Sequence, residues 1–488
     1  MIHAAHGELE LLVRDGETGE PLSARIQLTN AKGRRIVPKG MLALPDRSFY
    51  TYGSVVLELP HDTYQFVIDR GMEYRPRHGQ FVISGGDSDH HEVDLTRFVD
   101  MAKQDWWAAD LQIHTAPRLI PLQMDAEELS MVAAFAKRIG REGGIFTREG
   151  ISGSAPLEAL PIFERTVFDA REPGPLLLID TDTENSQAEE TELNESNLPA
   201  AAPPSLPVGW LAIDQRRDNR YVLASSALSP MLPVWLASRG LDGVCVIAPE
   251  PKSRRGWTGG PDEDFLENVE AAQRWGKSNE WVYHRMLECG LRVPPLAVSG
   301  GGWSRSPPGS SRSYAFIRAS PTSDEWWRSM QRGRLMITNG PLIIIQVNGK
   351  PPGYQFSAAA GERVELTIDL TLHTKQTVEY LEIIKNGSVL HSVRLDAWAK
   401  ANGRLPEVEF DESGWMLVRA VTNARDTYQY AMTAPYFVRI GDEPRISRQA
   451  VQFFQSWLAA LPQGDEHARF HRAAVRYWDA KYEAATTD

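Results

Sequence analysis

Residues 106–114 have the sequence WWAADLQIH, in which polar residues occupy alternate positions of an otherwise apolar stretch. A β-strand directs alternate side chains to one face, so we expect Asp110, Gln112 and His114 to lie side by side. In an α/β barrel, the face at the C-terminal end of such a strand opens on the active site. A carboxylate and an imidazole there would begin a metal site, so this stretch predicts both a fold and a place for chemistry.

The region around this motif, residues 99–338, alternates short apolar stretches with helical patterns. The predicted strands have the sequences AADLQIH, PLLLID, YVLASS, GVCVIAP and SYAFIRA. Asp125 can cap a helix, with Glu128 three residues later, and the helical pattern continues to about Gly140. Strands that alternate with helices are typical of an α/β domain with a mainly parallel sheet, either a barrel or a doubly wound sheet.

The flanks of this central domain have different patterns. Residues 1–98 and residues 339–445 contain apolar stretches of strand length separated by turn signals, so each is predicted to form a β-sandwich, with a hairpin turn at residues 385–388. Residues 446–488 have two amphipathic helical patterns and are predicted to form a helical tail. Residues 181–207 are acidic and then rich in proline and alanine, which is typical of an inserted surface loop. The sequence therefore predicts a multidomain protein.

Four segments of the chain resemble metallohydrolases of the PHP (polymerase and histidinol phosphatase) type, in their carbaryl-hydrolase-like branch. The segments lie within about residues 100–345 and have the sequences AADLQIHTAPRLIPLQMDAEEL, LPVWLASRGLDGVCV, ECGLRVPPLAVSG and EWWRSMQRGRLMITNGPLI. The resemblance implies a distorted α/β barrel that holds up to three metal ions with histidine, aspartate and glutamate side chains. At the N-terminus, ELELLVRDGETGEPLSARIQL resembles the carboxypeptidase-regulatory-like module, which implies a transthyretin-like sandwich.

Most of the metal ligands implied by this resemblance are replaced. Gln112 stands where the opening motif has its first histidine, and Ala248 and Pro249 stand where the family has an Asn-His pair. Ser225 or Ser226 replaces the expected acidic partner. A neutral amide is a poor ligand for zinc or iron beside imidazole. The metal-ligand motifs are therefore degenerate.

The distribution of histidines agrees with this interpretation. The chain has 12 histidines, but only His114 and His284 lie between residues 99 and 335. The segment 298–301, VSGG, stands where the family often has a Gly-Ser-Asp turn. A hydrolase site with two or three metal ions needs several imidazoles beside its carboxylates. No metal cofactor is expected, although Asp110 and His114 remain weak candidates for holding a single divalent ion.

Other side chains near the motif are candidates for contact with a ligand. Trp107 could stack on a carbohydrate or another small molecule, although packing between domains is the alternative. Arg118, Arg254 and Arg255 lie in predicted loops of the central domain and could meet an anionic ligand. No residue is predicted to be catalytic from these patterns.

The composition limits the partners and the compartment. Lys and Arg total 52 against 64 for Asp and Glu, which gives a net charge of −12 and argues against nucleic acid or an anionic membrane surface. No apolar run is long enough to span a membrane. No signal peptide is visible at the N-terminus, and two cysteines make no disulfide framework, so a cytoplasmic location is expected unless a leader has been removed. The oligomeric state is not predicted.

Three functions remain open. The chain is a non-catalytic or strongly diverged relative of metal-dependent hydrolases, which uses its barrel cleft for ligand binding or as an interaction scaffold. Alternatively, it is an active metal-dependent hydrolase of an ester, amide or phosphate, with a reduced site at Asp110 and His114. As a third alternative, it is a structural or adhesive protein whose β-domains carry its role. Fold alone does not decide between them.

Overall fold

The computed structural model describes residues 6–84, 88–115, 117–135, 144–147, 161–162, 165–169, 176–180, 220–251, 260, 263–302, 304, 306–318, 321–461 and 468–488. Within these ranges more residues lie in β-strands than in helices, and the strands form several sheets in more than one domain. The multidomain organisation and the β-sheet character of the flanking domains, both expected from the sequence, are confirmed. The predicted loop at 181–207, together with Arg254 and Arg255, lies outside the described residues.

Two sheets form the N-terminal domain. Its strands are β1 (His6–Asp15), β2 (Ser23–Asn30), β3 (Arg35–Ile36), β4 (Phe49–Tyr52), β5 (Ser54–Pro60), β6 (Asp62–Asp69), β7 (Tyr74–Arg75), β8 (Arg77–Ile83) and β9 (Ser88–Arg97). One sheet has the order β5-β1-β9-β7, and the other has the order β3-β2-β6-β8 with β4 beside β2. Leu11, Ile26 and Ile68 share one core between the sheets, because these strands bury alternate residues. The domain is therefore a β-sandwich.

The central region contains two further sheets. Its described strands are β10 (Trp106–Ile113), β11 (Met131–Ala134), β12 (Gly144–Thr147), β13 (Pro161–Ile162), β14 (Arg165–Asp169), β15 (Leu176–Asp180), β16 (Arg220–Ala224), β17 (Gly243–Ile247), β18 (Pro295–Ala297), β19 (Arg312–Phe316) and β20 (Leu335–Thr338). Its described helices are α1 (Ile120–Glu127), α2 (Leu232–Ser238), α3 (Glu263–Glu267), α4 (Arg274–Glu288) and α5 (Ser323–Gln331). One sheet begins with the order β13-β12-β11-β10-β19-β20, and the other has the order β14-β15-β16-β17-β18. The motif strand β10 thus lies between neighbours on both sides.

These central sheets are mixed rather than mainly parallel. Parallel pairs join β10 to β11, β16 to β17 and β17 to β18. By contrast, β19 is antiparallel to β10, and β15 is antiparallel to both β14 and β16. The prediction of a mainly parallel sheet is therefore wrong for the described strands, because short apolar strands look alike in either direction. The two sheets approach each other where the Ala297 N–H donates to Ser313 Oγ at 2.9 Å.

The segment after the motif strand also differs from its prediction. Helix α1 ends at Glu127, Glu128 has a left-handed conformation with a φ of 55°, and Met131–Ala134 forms β11. The helix predicted from Asp125 toward Gly140 is wrong over the described residues. All four residues of β11 are buried beside β10, and a fully buried strand lacks the alternation that distinguishes a strand from a helix.

The C-terminal domain is also built of β-strands. Its strands are β21 (Leu342–Val347), β22 (Gln355–Ala358), β23 (Val364–Leu366), β24 (Ile368–His373), β25 (Val378–Lys385), β26 (Ser388–Arg394), β27 (Val408–Phe410), β28 (Gly414–Thr422), β29 (Tyr430–Thr433) and β30 (Tyr436–Ile440), with the helix α6 (Leu395–Lys400) after β26. Strand β21 pairs with β24 and β23 with β27, and Ile345, Leu370 and Val418 lie in one core with the larger sheet. The predicted hairpin turn is confirmed, since Asn386 and Gly387 both have positive φ.

One sheet crosses the predicted boundary between the central and C-terminal domains. From β20 it continues through β29, β28 and β25 to β26, with β22 attached through β30. The pairing of β20 with β29 brings Met336 opposite Thr433. The two domains are therefore joined by backbone hydrogen bonds as well as by side chains.

Two helices form the C-terminal tail, α7 (Arg448–Ala460) and α8 (Ala468–Glu483). Ser447 caps α7, because its Oγ accepts a hydrogen bond from the Ala450 N–H at 3.3 Å. Trp478 of α8 is fully buried, and its indole N–H donates to the Pro233 carbonyl at 2.9 Å. The tail is thus packed on the central domain. No helix in the described ranges is long and apolar enough to span a membrane.

Candidate functional site

The polar residues of the motif lie in the interior of the protein. The exposed fraction is 0% for Asp110 and Gln112 and 4% for His114. Beyond the end of β10, the His114 N–H donates to the Gly301 carbonyl at 2.6 Å, so the segment after β18 covers this end of the strand. The structure therefore brings the three predicted residues together, but in a closed environment.

The carboxylate of Asp110 accepts four hydrogen bonds from the protein. Its Oδ2 accepts one from the Ser299 hydroxyl and one from the Gly309 N–H, the latter at 2.8 Å. Its Oδ1 accepts from the N–H groups of Gln112 and Ser299, both at 3.2 Å. A carboxylate has about four lone-pair positions. The protein's own donors therefore occupy the positions that a metal ion would need.

These hydrogen bonds hold the loop between Ser299 and Gly309 against β10. Within the loop, the Gly301 N–H donates to Ser299 Oγ at 2.9 Å. At its far end, the Arg312 Nε donates to the Gly309 carbonyl at 2.6 Å. Sequence patterns did not indicate the two partners of Asp110 in this loop, Ser299 and Gly309. One sequence feature could have indicated Ser299 as a partner: it lies in the segment 298–301, which departs from the metallohydrolase motif.

Gln112 and His114 contact each other. The side-chain nitrogen of Gln112 lies 3.3 Å from His114 Nε2. The ring of His114 is tilted against Phe135, with the ring centres 5.9 Å apart. Because Gln112 carries no charge and is a weak metal ligand, this pair gives a polar interior rather than a transition-metal site.

The other positions implied by the family resemblance also have structural contacts. The Ala248 carbonyl accepts the indole N–H of Trp275 at 2.8 Å, and the Ser226 hydroxyl donates to Asn279 Oδ1 at 2.7 Å. In the described part of the chain, no group of three or more histidine, cysteine, aspartate and glutamate side chains could hold a metal ion. The residues present there do not fit a site for several metal ions.

Burial dominates the electrostatics of this interior. It raises the pKa of the Asp110 carboxyl, and the hydrogen bonds from Ser299, Gly309 and Gln112 offset part of that rise. Burial, followed by the negative charge of Asp110, also raises the pKa of the Cys245 thiol in β17. A buried thiol with a raised pKa is unreactive, so Cys245 is a packing residue rather than a nucleophile.

The structure does not bring the remaining ligand candidates, Trp107 and Arg118, together with Asp110, Gln112 and His114. Trp107 is half-buried, and its indole N–H donates to the Ile317 carbonyl at 3.1 Å. It precedes His114 by seven residues, which is about 23 Å along an extended strand. Arg118 is exposed in a 3₁₀ turn, Pro117–Leu119. One small ligand could therefore not contact both ends of β10.

His284 lies away from the motif, in helix α4. Its ring centre is 5.6 Å from that of Trp415, in the C-terminal domain. Burial lowers the pKa of His284 to about 4, so the side chain is neutral at physiological pH. This placement agrees with a structural role.

A network of charges that the sequence did not indicate joins the N-terminal domain to the central domain. Arg25 of the sandwich lies 3.2 Å from Glu127 (Nε to Oε1), and Arg70 lies 3.3 Å from Asp125 (Nη2 to Oδ1). From the central domain, Arg312 lies 3.6 Å from the same Glu127 (Nη2 to Oε2) and is fully buried. We call this group of ion pairs the junction network. It links residues far apart in the chain, so no local pattern could predict it.

The junction network extends to the C-terminal domain. Lys375 Nζ donates to Asp69 Oδ1 at 2.8 Å and to the Gly71 carbonyl at 2.6 Å. Gly71 has a φ of 50°, and a Cβ atom there would lie 2.5 Å from the Glu127 carbonyl oxygen. A glycine is required for such close approach of two backbones. All three domains therefore meet at this point.

Glu73 is a buried acid in the junction network. It accepts hydrogen bonds from the Met101 N–H at 2.9 Å, the Tyr314 hydroxyl at 3.2 Å and Arg97 Nη1 at 3.2 Å. Burial, followed by the negative charge of Glu128, raises the pKa of Glu73 to about 8. Burial and the neighbouring Glu128 therefore favour the protonated form of Glu73 in the folded protein.

Comparisons with known proteins assign no family to this chain. No protein-family model and no curated protein matches it. Among solved structures, the Bacillus anthracis TIE protein is 21% identical over 23% of this chain and 19% of its own length, with a TM-score of 0.16. Fibronectin(III)-like modules of Clostridium thermocellum CbhA are 15% identical over 20% of this chain and 100% of their own, with a TM-score of 0.14. The N-terminal four Ig domains of Dscam1 isoform 1.9 are 8% identical over 90% of this chain and 74% of theirs, with a TM-score of 0.16. Similarity at these TM-scores supports no conclusion about function.

Proposed function

We propose that the protein is a non-catalytic, multidomain β-protein that acts as a structural or interaction scaffold. The observation that carries this proposal is the Asp110 carboxylate, whose acceptor positions are taken by Ser299, Gly309 and Gln112. A hydrolase site needs a carboxylate that is free to bind a metal ion or to accept a proton. In this protein the carboxylate holds a loop to a strand instead.

A distant relation to the metallohydrolases is part of the proposal. It is supported by the motif strand β10, which carries Asp110 and His114 beside the parallel strand β11. It is also supported by the approach of the two central sheets at Ala297 and Ser313, which a distorted barrel would require. In this view the barrel framework was retained after its ligands were lost, with Gln112 as one of the replacements.

The junction network supports the scaffold role. Arg25 and Arg312 reach the same Glu127 from two domains, and Lys375 reaches Asp69 from a third. Ion pairs that are buried or partly buried and joined in a network can fix one geometry, whereas isolated surface pairs contribute little. The β-domains would therefore present their surfaces in one fixed arrangement.

The two other functions have less support in the geometry. A ligand cleft at Asp110, Gln112 and His114 requires accessible side chains, whereas these are at most 4% exposed. A hydrolase with a single ion at Asp110 and His114 would first have to break four hydrogen bonds, at a cost of about 1 kcal/mol each. A structural role requires neither the exposure of these side chains nor the loss of the hydrogen bonds to Asp110.

Metal analysis tests the proposal. The protein would be purified without chelators, and its zinc, manganese and iron would be measured by mass spectrometry beside those of the Gln112→His variant. We expect no stoichiometric metal in either protein, because restoring one imidazole leaves the lone pairs of Asp110 occupied. Two further variants each remove one histidine. His114→Gln changes the motif itself, and its matched control, His78→Gln, alters an exposed histidine of the N-terminal domain.

The opposite result would be stoichiometric metal in the unaltered protein that is lost in His114→Gln but kept in His78→Gln. Thermal unfolding of each variant shows whether a loss of metal is only a loss of folding. Metal bound in this way would show a metal site that depends on His114 and would overturn the proposal.

A further inference from the structure

A cleft of about 360 Å³ lies between the central and C-terminal domains, away from Asp110. This volume is in the range of small-molecule sites. Three arginines, Arg292, Arg332 and Arg334, line the cleft, and no aspartate or glutamate is among its described lining residues. We call it the arginine cleft. In a chain with a net charge of −12, such a local excess of positive charge is unexpected.

The floor of the arginine cleft is built by backbone hydrogen bonds. The Ala434 N–H donates to the Leu335 carbonyl at 2.8 Å, the Gly353 N–H to the Pro435 carbonyl at 3.1 Å, and the Phe437 N–H to the Tyr354 carbonyl at 3.0 Å. Gly353 has a φ of 79°, and a Cβ atom there would collide with the carbonyl oxygen of Arg332. The cleft is therefore formed by the packed backbone, before any ligand binds.

The arginines of the cleft have no ionic partner among the described residues. Arg292 Nη2 donates to the neutral Gln355 Oε1 at 2.6 Å, and its guanidinium lies 4.4 Å from the centre of the Phe437 ring. Burial, followed by the positive charge of Arg439, lowers the pKa of Arg292. The pKa of Arg334 is also lowered, first by burial and then by the positive charge of Arg332. An anion in the cleft would relieve this mutual repulsion.

The cleft also has an aromatic and apolar wall. Tyr354 is 41% exposed, although most of the aromatic side chains that the structure describes are buried. Its ring is held edge-on by Phe356, with the ring centres 4.9 Å apart. Pro294, Pro351 and Pro435 line the cleft beside it. A planar or apolar group would gain contact area on this wall without ordering flexible side chains.

We propose that the arginine cleft binds a small organic oxyanion, a carboxylate or phosphate attached to a planar or apolar body. Its charged group lies among Arg292, Arg332 and Arg334, whose guanidinium groups match the paired oxygens of carboxylates and phosphates. Its body lies on Tyr354. This site is separate from the motif strand and does not depend on whether Asp110 binds a metal ion.

Isothermal titration calorimetry with three probes tests the site. The probes are phenyl phosphate, benzoate and phenol, which share the ring and differ in the charged group. We expect saturable binding of phenyl phosphate, benzoate or both, and none of phenol. The stronger of the two oxyanions identifies the class of ligand. The double variant Arg332→Gln with Arg334→Gln should weaken binding by about 10- to 100-fold, since each lost charged hydrogen bond is worth roughly tenfold.

Two further variants make the result specific. The matched control is Arg328→Gln on helix α5, whose exposed side chain pairs with Asp324 outside the cleft and should leave binding unchanged. Tyr354→Ala should weaken phenyl phosphate but not inorganic phosphate. Equal binding by the double variant, or no saturable binding of either oxyanion to a protein that unfolds cooperatively, overturns the proposal. Neither result bears on the metal analysis, so the two proposals fail independently.

Discussion

Asp110 and the arginine cleft relate to their surroundings in opposite ways. The Asp110 carboxylate is completely buried, and protein donors fill its acceptor positions. Arg292, Arg332 and Arg334 face a cavity and have no ionic partner among the described residues. A charge whose partners lie within the protein stabilises the fold, whereas a charge without them is available to a ligand. The conspicuous sequence motif thus carries a carboxylate that is fully hydrogen-bonded within the protein, whereas the site that we propose for a ligand lies in segments without any motif.

The largest effect on stability is expected from removing the Asp110 carboxylate, whose hydrogen-bonding positions are all filled. Asp110→Ala leaves the donors of Ser299, Gly309 and Gln112 buried without an acceptor, so the free energy of unfolding should fall by about 3 to 5 kcal/mol. Urea unfolding measures this change. Asp426→Ala, which removes an exposed carboxylate, is the control and should change stability by less than about 0.5 kcal/mol. Equal effects of the two variants would remove the contrast between the two regions.

A smaller effect for each pH unit is expected from the titration of Glu73 in the junction network. Burial and the charge of Glu128 raise the pKa of Glu73 from 4.5 to about 8. Between these values the folded protein keeps a proton that the unfolded chain has released. The free energy of unfolding should therefore fall as pH rises through this window, by at most about 1.4 kcal/mol per pH unit, and level off above it.

Urea unfolding at several pH values between about 5 and 8 measures this slope. Glu73→Gln is the matched variant, because its amide has nearly the same shape and does not titrate. The difference between the two proteins isolates Glu73 from other titrating groups such as His90. A slope that is the same in both proteins would show that Glu73 is already ionised in the folded state.

The smallest effect is expected in the arginine cleft. Arg332→Gln removes an exposed charge that has no ionic partner among the described residues, so stability should stay within about 0.5 kcal/mol of the unaltered protein or rise slightly. Thermal unfolding measures this at low and high salt. A loss above about 2 kcal/mol would show that Arg332 has a structural partner, and the cleft would then resemble the Asp110 region.

Local patterns predicted much of the fold. The alternation in ELELLVRD correctly predicted the strand β1, and the pair Asn386-Gly387 correctly predicted a hairpin turn. Both patterns depend only on residues that are close together in the sequence. The clustering of Asp110, Gln112 and His114 followed from the period of a strand. These features required no knowledge of distant partners.

The rest depended on contacts that the sequence does not reveal. Met131–Ala134 is fully buried on both faces, so its composition could not distinguish a strand from a helix. Ser299 bonds to Asp110 across 189 positions of the chain, and Arg25 meets Glu127 across 102. Whether a carboxylate is available for chemistry depends on such partners, which is why the motif alone could not decide its role.

The sheet that continues from β20 into β29 has a consequence for selectivity. Arg332 and Arg334 immediately precede β20, whereas Tyr354 immediately precedes β22, which is attached to the same sheet through β30. Strand pairing therefore fixes the distance between the backbone positions that carry the charged and the aromatic side chains of the cleft. Under the proposal, this separation favours ligands whose anionic end and planar body are a matching distance apart.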